Sequence, residues 1–359
     1  MRVLVTGATG FVGGRLVSKL RETDHEVTVT VRDPDEYDAP DGVGVVRADL
    51  LEPDDCRLIR EPGSDAPVGT DDGDSDADSG ADDEGGSGDE DDGDDEGRWL
   101  GDVIADLDVE AAYYLVHSMG AGDDFAELDR TLSANFAAAA DGGGVSRVIY
   151  LGGLGEDDDD LSEHLRSRRE VERMLADGDY DLTVLRAAVV IGDGSASFAI
   201  IRQLAEKLPV MVTPQWVRTE CQPIYVDDVV AYLAGVLDAP ETAGETYEIG
   251  GPESLTYEDV LRRTRRALGG ELRVVPVPVL TPRLSVGWVR LVTDVDPDVV
   301  EPLVEGMGNR VVVSDHRIEE VVPVDRTGFD EAVRRALDAE DARRGVGVSE
   351  SEADSEVPV

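Results

Sequence analysis

The sequence predicts an α/β fold, a doubly wound parallel sheet carrying a smaller C-terminal α/β lobe. Three observations lead there. A short apolar strand breaks into a glycine turn and then a helix at the very start of the chain. Apolar runs of strand length alternate with helical patterns to about residue 208, as βαβ units require. A second, shorter set of strand and helix signals then runs from Pro209 to about residue 340. The expected organisation is a domain over 1–208 interrupted by an acidic insert at 61–97, an interleaved lobe over 209–340, and a disordered acidic tail over 349–359.

The opening stretch runs from Val3 through Thr6, Gly7, Thr9, Gly10, Phe11, Val12 and Gly13. Gly7 permits a tight turn, Gly10 lets a pyrophosphate approach bare backbone, and Gly13 lets the helix through Leu16, Val17 and Leu20 lie close to the sheet. The free N–H groups at the helix start then face negative charge. Strand, turn and helix therefore arrive in the order of a Rossmann dinucleotide site.

The GxxGxxG spacing with Thr6 and Thr9 interleaved resembles the short-chain dehydrogenase/reductase superfamily. It is closest to the extended or atypical, epimerase/dehydratase-like branch, which includes the NmrA-like redox sensors and an accessory subunit of respiratory complex I. The resemblance reaches to about Leu337. It implies an NAD(P) site contacted by Thr6, Gly7, Thr9, Gly10, Phe11, Val12 and Gly13.

Glu26 to Arg32 alternates like a second strand. An acidic residue at its end would accept from a free ribose 2′-hydroxyl, whereas an arginine pairs with a 2′-phosphate. Arg32 precedes Asp33, so NADP is favoured, with NAD the alternative. Val43 to Val46 reads as the third strand, and the resemblance places Asp49 and Leu50 beside the adenine. A helix is expected to begin near Pro53 and, after the insert, to resume over Trp99–Leu107. The insert has no basic and no aromatic residue, so it cannot bury enough apolar surface to order itself. Ala111 to His117 forms the next strand, and Val116, His117 and Ser118 lie at its C-terminal end, where ligands sit in open α/β sheets.

After a helix from Phe125 to Ala140 and a strand from Arg147 to Leu151, the resembling family places a Ser on the strand exit. A Tyr and, four residues on, a Lys follow on the next helix. Tyr exchanges the proton, Lys favours its phenolate and Ser orients the substrate. Here those positions hold Gly153, His164 and Arg168. Two readings follow. His164 exchanges a proton while Arg168 supplies a fixed charge toward ribose or substrate, or the helix is only a solvated, ion-paired face. The resemblance places Arg186 and Ala188, at the next strand exit, at the nicotinamide end.

In the lobe, Cys221 occupies the place where sugar-nucleotide epimerases usually carry an arginine, with Arg218 nearby, which weakens a sugar-nucleotide reading. A helical stretch through Leu284, Trp288, Leu291 and Val292 suits packing over the pocket mouth, or docking on a partner or quinone-like ligand.

The function expected is an oxidoreductase or epimerase-like enzyme acting on a small carbonyl, sugar-nucleotide or quinone-like substrate. The alternative is a non-catalytic NAD(P)H-binding sensor or respiratory accessory protein.

Composition narrows the partners. The chain has 80 acidic against 33 basic residues and a net charge of −47; the insert's 17 acidic residues leave −30 on the rest. Such a surface repels nucleic acid and anionic membranes. Only Lys19 and Lys207 are lysines, a balance suited to a high-salt cytoplasm, where screening is strong. Two cysteines, Cys56 and Cys221, make neither a disulfide framework nor a cysteine metal site. No stretch reads as a secretory signal or an integral membrane segment, leaving a peripheral or quinone-linked partner open.

Overall fold

The computed structural model describes residues 1–64, 97–118, 124–155, 161–208, 210–213, 215–276, 289 and 292–353. Its centre is an eight-stranded sheet. The strands are β1 (Arg2–Thr6), β2 (Glu26–Val31), β3 (Gly44–Asp49), β4 (Glu52–Arg60), β5 (Ala111–Tyr114), β6 (Arg147–Gly153) and β7 (Asp181–Ala187). After β8 (Val190–Ile191), β9 (Val210–Thr213), β10 (Glu220–Cys221) and β11 (Ile224–Tyr225), the eighth sheet strand is β12 (Thr246–Ile249). The order is β12-β7-β6-β5-β1-β2-β3-β4, parallel throughout except for antiparallel β4. The order reverses across β1, between β2 and β5, which opens a crevice at the strands' C-terminal ends.

Both sheet faces are covered, so the strands read as near-continuous apolar runs. On one face Leu16, Val17 and Leu20 of α1 (Gly13–Leu20) pack with Val3, Val5 and Val29. On the other lie α2 (Leu100–Asp106), α3 (Phe125–Gly142) and α4 (Glu163–Leu175), with Leu4, Phe136 and Val171 in one cluster. Adjacent Tyr113 and Tyr114 go to opposite faces, as strand geometry demands. The Tyr113 hydroxyl donates to the Leu233 carbonyl at 2.8 Å in α6 (Val226–Asp238), the second helix on the α1 face.

A second apolar cluster joins α5 (Ala196–Lys207), which precedes the expected lobe boundary at Pro209, with α7 (Tyr257–Ala267), α8 (Pro297–Gly306) and α10 (Phe329–Ala353); α9 (Ile318–Val321) packs instead on the α1 face. Short ladders pair β8 with β11, β9 with β14 (Arg273–Pro276), and β10 with β13 (Leu255–Thr256).

Three expectations need correction or qualification. The segment after Pro53 is a strand, not a helix: Leu58 packs toward the α3 face and Ile59 toward the α1 face, a period of two that its charged neighbours obscure. The α2 segment therefore does not resume it; Arg98 instead forms an isolated bridge to Cys56 of β4. The last helix runs to Ala353, into the stretch expected to be a disordered tail, and paired charges such as Arg344 with Glu340 at 2.7 Å support it. Residues 65–96 of the insert, and Leu284, Trp288 and Leu291, lie outside the described residues; Val292 packs on the lobe cluster. Among the described residues no helix is long and apolar enough to cross a membrane, and no group of three His, Cys, Asp or Glu is placed to hold a metal ion.

Candidate functional site

The glycine turn is built from backbone constraints. Gly7 sits at φ +74°, and a Cβ there would lie 2.7 Å from the Leu115 carbonyl oxygen. A Cβ on Gly13 would lie 2.1 Å from the Gly7 carbonyl oxygen. Both positions are therefore closed to any side chain. Gly10 differs: its Cβ would meet only the Gly7 oxygen, at 3.1 Å, with nothing else in reach. Its N–H donates to the same oxygen at 3.0 Å. The turn is thus tight beneath and bare above, which fits a pyrophosphate lying across it. From behind, Arg15 donates to the carbonyls of Phe11, at 2.8 Å, and Asp193, at 2.9 Å.

A cleft of about 450 Å³ runs from this turn across the ends of β5, β6 and β7. Gly7, Gly10, Phe11, Val12, Gly13, His117, His164, Arg168 and Ala188 all line it, so nine of the expected residues meet in one place. Leu115, Tyr150, Leu151 and Val190 add walls, and Val299 and Leu303 of α8 close it from the lobe. Its polar end comes from α4, whose start is capped by the Ser162 hydroxyl accepting from the Leu165 N–H. One helical turn separates His164 from Arg168, which puts both on the face toward β6. A Cβ on Gly153 would meet Leu165 Cδ2 at 2.9 Å and Arg168 Cγ at 3.7 Å. The missing hydroxyl at Gly153 therefore allows α4 to sit close.

The two imidazoles have no titration near neutrality. Loss of water to the surrounding walls, then the Arg168 charge, push His117 down to about 4. The same causes, with His117 itself added, push His164 down to about 3. His117 is still reached by the solvent in the cleft, while His164 is only partly exposed. Because the unfolded chain takes up a proton on His164 near pH 6.5 and the folded chain resists it, stability is full above that pH and declines as pH falls. His164→Gln removes this contribution, so between pH 6.5 and 4 the variant should lose less stability to urea than the parent. Identical slopes would contradict the shift.

The remaining expected residues lie elsewhere. Thr6 is buried; its hydroxyl donates to the Tyr113 carbonyl at 2.9 Å and accepts from the Leu115 N–H at 3.4 Å, tying β1 to β5. Thr9 is exposed outside the lining. Val116 packs behind the sheet, because Leu115 and His117 take the cleft side. Asp49 accepts from the Leu51 N–H at 2.9 Å in the β3–β4 turn, and Leu50 is buried with its carbonyl on Asn135. Arg186 is held by Glu172, at 2.5 and 3.1 Å, and does not line the cleft. The same carboxylate accepts from Arg169 at 3.2 Å. Arg32 stands exposed at the end of β2, while the Asp33 carboxylate accepts from the Asp35 N–H at 3.0 Å.

Ser118 is consumed by a residue the sequence did not single out. Buried Asp129 of α3 accepts from the Ser118 N–H at 2.9 Å, the Ser118 hydroxyl at 2.7 Å and the Ser167 hydroxyl at 3.0 Å. It thereby fixes the neighbours of both His117 and Arg168. An acidic residue on the apolar stripe of an otherwise amphipathic helix was the available signal.

Residues 7–68 match a family described as NAD(P)H-binding. Over 123 residues the chain is 28% identical to the mitochondrial NADH dehydrogenase [ubiquinone] 1 alpha subcomplex subunit 9 of Arabidopsis thaliana, covering 34% of this chain and 31% of that protein. Over 259 residues it is 25% identical to the subunit of the same name from Dictyostelium discoideum, covering 72% of this chain and 61% of that one. The matches thus span about a third and about three fifths of those relatives' lengths. Among solved structures, a nucleoside-diphosphate-sugar epimerase from Staphylococcus aureus superposes with a TM-score of 0.63 at 13% identity, over 93% of this chain and 100% of that one. At that identity the likeness is one of fold. Glycine turn, sheet order and these similarities together show a Rossmann-like α/β fold shared with an epimerase structure, whose residues 7–68 match an NAD(P)H-binding family.

Proposed function

We propose that the protein binds NADP in preference to NAD, and acts as an oxidoreductase or epimerase-like enzyme with a non-standard site on a small carbonyl, sugar-nucleotide or quinone-like compound. The observation that carries this is the turn sealed at Gly7 and Gly13 and open at Gly10, at the mouth of a cleft that continues to Arg168. Gly7, Gly10 and Gly13 would hold the pyrophosphate, and Ala188 would leave room for the ring beyond it. When bound, the nicotinamide supplies or takes a hydride. His117 and His164 are neutral at neutral pH and offer N–H donors to a substrate oxygen, and Arg168 holds a fixed positive charge there.

The preference for NADP rests on Arg32. It is exposed, with no carboxylate paired to it among the described residues, while Asp33 is engaged in its own turn. A guanidinium in that position suits a 2′-phosphate. Arg32→Gln should lower the ratio of NADPH to NADH affinity by about tenfold, the scale of one charge-assisted contact. Fluorescence titration of the full chain in concentrated KCl measures it. An unchanged ratio would refute the preference.

A second reading has its own support: both curated relatives are named as subunits of an NADH dehydrogenase, and Ser, Tyr and Lys are absent from positions 153, 164 and 168. On that reading the protein binds NAD(P)H without turnover, as a redox sensor or an accessory piece of a respiratory assembly. Steady oxidation of NADPH by the purified chain with a carbonyl or quinone panel separates the two.

A further inference from the structure

More than a fifth of the chain is Asp or Glu, yet among the described residues lining the cleft there is no carboxylate. Arg168 is the only cation among them. Its neighbours in the fold are paired: Arg169 and Arg186 with Glu172, and Arg130 with Glu170 at 3.5 Å. No described carboxylate pairs with Arg168. The neutral Tyr150 hydroxyl, which donates to the Arg168 backbone carbonyl at 3.3 Å and also interacts with the Arg168 side chain, brings no charge. A half-buried guanidinium without a counter-charge is costly unless something else supplies the negative charge.

The position matters as much as the charge. In the sheet order, Arg32 follows β2 on one side of β1, while Arg168 leans on β6 on the other. An anion at Arg168 is therefore well separated from a 2′-phosphate at Arg32. Around it, Leu151, Val190, Val299 and Leu303 form an apolar wall drawn from both the main sheet and the lobe.

We infer that the cleft takes a second ligand, an organic anion with an apolar body, its carboxylate or phosphate seated on Arg168 beside the N–H groups of His117 and His164. The bound anion completes the charge balance that the fold leaves open, and the wall from α8 covers the apolar part. This deepens the reading of the cleft as a nicotinamide site by naming the chemistry of the compound beside the cofactor.

The test uses the full chain, with and without saturating NADPH, and three probes of equal chain length: 2-oxohexanoate, hexyl phosphate and 2-hexanone. Calorimetry should show one of the two anions binding at least about thirtyfold more tightly than the neutral ketone, the scale of a partly desolvated charge pair. The better anion tells carboxylate from phosphate. Arg168→Gln should erase that preference, Arg168→Lys should restore part of it, and any loss of NADPH affinity should be at least about tenfold smaller than the loss for the anion. Equal binding of anion and ketone by the parent chain would overturn the inference. So would an Arg168→Gln variant that loses NADPH as severely as the anion, since the guanidinium would then serve the cofactor. If NADPH fails to bind but the anion preference persists without it, the cofactor reading falls and this one stands.

Discussion

Alanine at Gly13 is expected to cost about 3 kcal/mol of stability and to abolish dinucleotide binding, because the obstacle is backbone rather than a movable side chain. The new methyl would lie 2.1 Å from the Gly7 carbonyl oxygen, so either α1 lifts off β1 or the turn opens. Alanine at Gly10 gives the contrasting result. Its methyl meets only that oxygen, at 3.1 Å, and points into the open space above the turn. Urea unfolding should therefore change by less than about 1 kcal/mol, while NADPH affinity falls by at least tenfold, about 1.4 kcal/mol. A Gly10→Ala protein that binds NADPH normally would falsify the placement of the pyrophosphate over this turn.

Glu172→Gln is the second large effect. One carboxylate serves two guanidinium groups here, Arg186 through two hydrogen bonds and Arg169 through one, and all three side chains are largely buried. Removing the charge leaves Arg186 without a described counter-charge in a poorly solvated space, a loss of about 3 kcal/mol. Arg186 stands outside the cleft, so NADPH affinity should change by less than about threefold. Urea unfolding and fluorescence titration on one preparation decide it. Loss of binding without loss of stability would return Arg186 to the cofactor site.

The parallel sheet, most of its strands and the glycine turn were legible because each rests on local pattern: apolar runs of strand length, helical periodicity, and glycines where backbone must pass backbone. The turn residues followed from the glycine motif and His117 from the rule that ligands meet the C-terminal ends of parallel strands, whereas His164, Arg168 and Ala188 were placed by the family resemblance. What failed depended on which way a side chain turns and what it finds. Val116 and Leu115 differ by one residue, and strand alternation sends them to opposite faces. Arg186 has the right position along β7, but Glu172, fourteen residues earlier, captures it. Ser118 and Thr6 spend their hydroxyls on Asp129 and on β5, partners that only tertiary packing supplies. In β4, Leu58 and Ile59 are too few apolar residues among charges to show their period of two.

Strand β12 forms the outer border of the large sheet, yet it is synthesised about sixty residues after its neighbour β7. A ribosome that has released only the first 208 residues therefore holds a nascent sheet in which β7 lacks the partner it has in the finished fold, its N–H and C=O groups on that side unsatisfied. Such a margin invites pairing with another emerging chain. Protease or gene truncation at the apparent lobe boundary should yield an aggregating fragment rather than a freestanding nucleotide-binding unit. The late arrival of Thr246–Ile249 makes folding wait for the lobe, and long-range closure of that kind is slow.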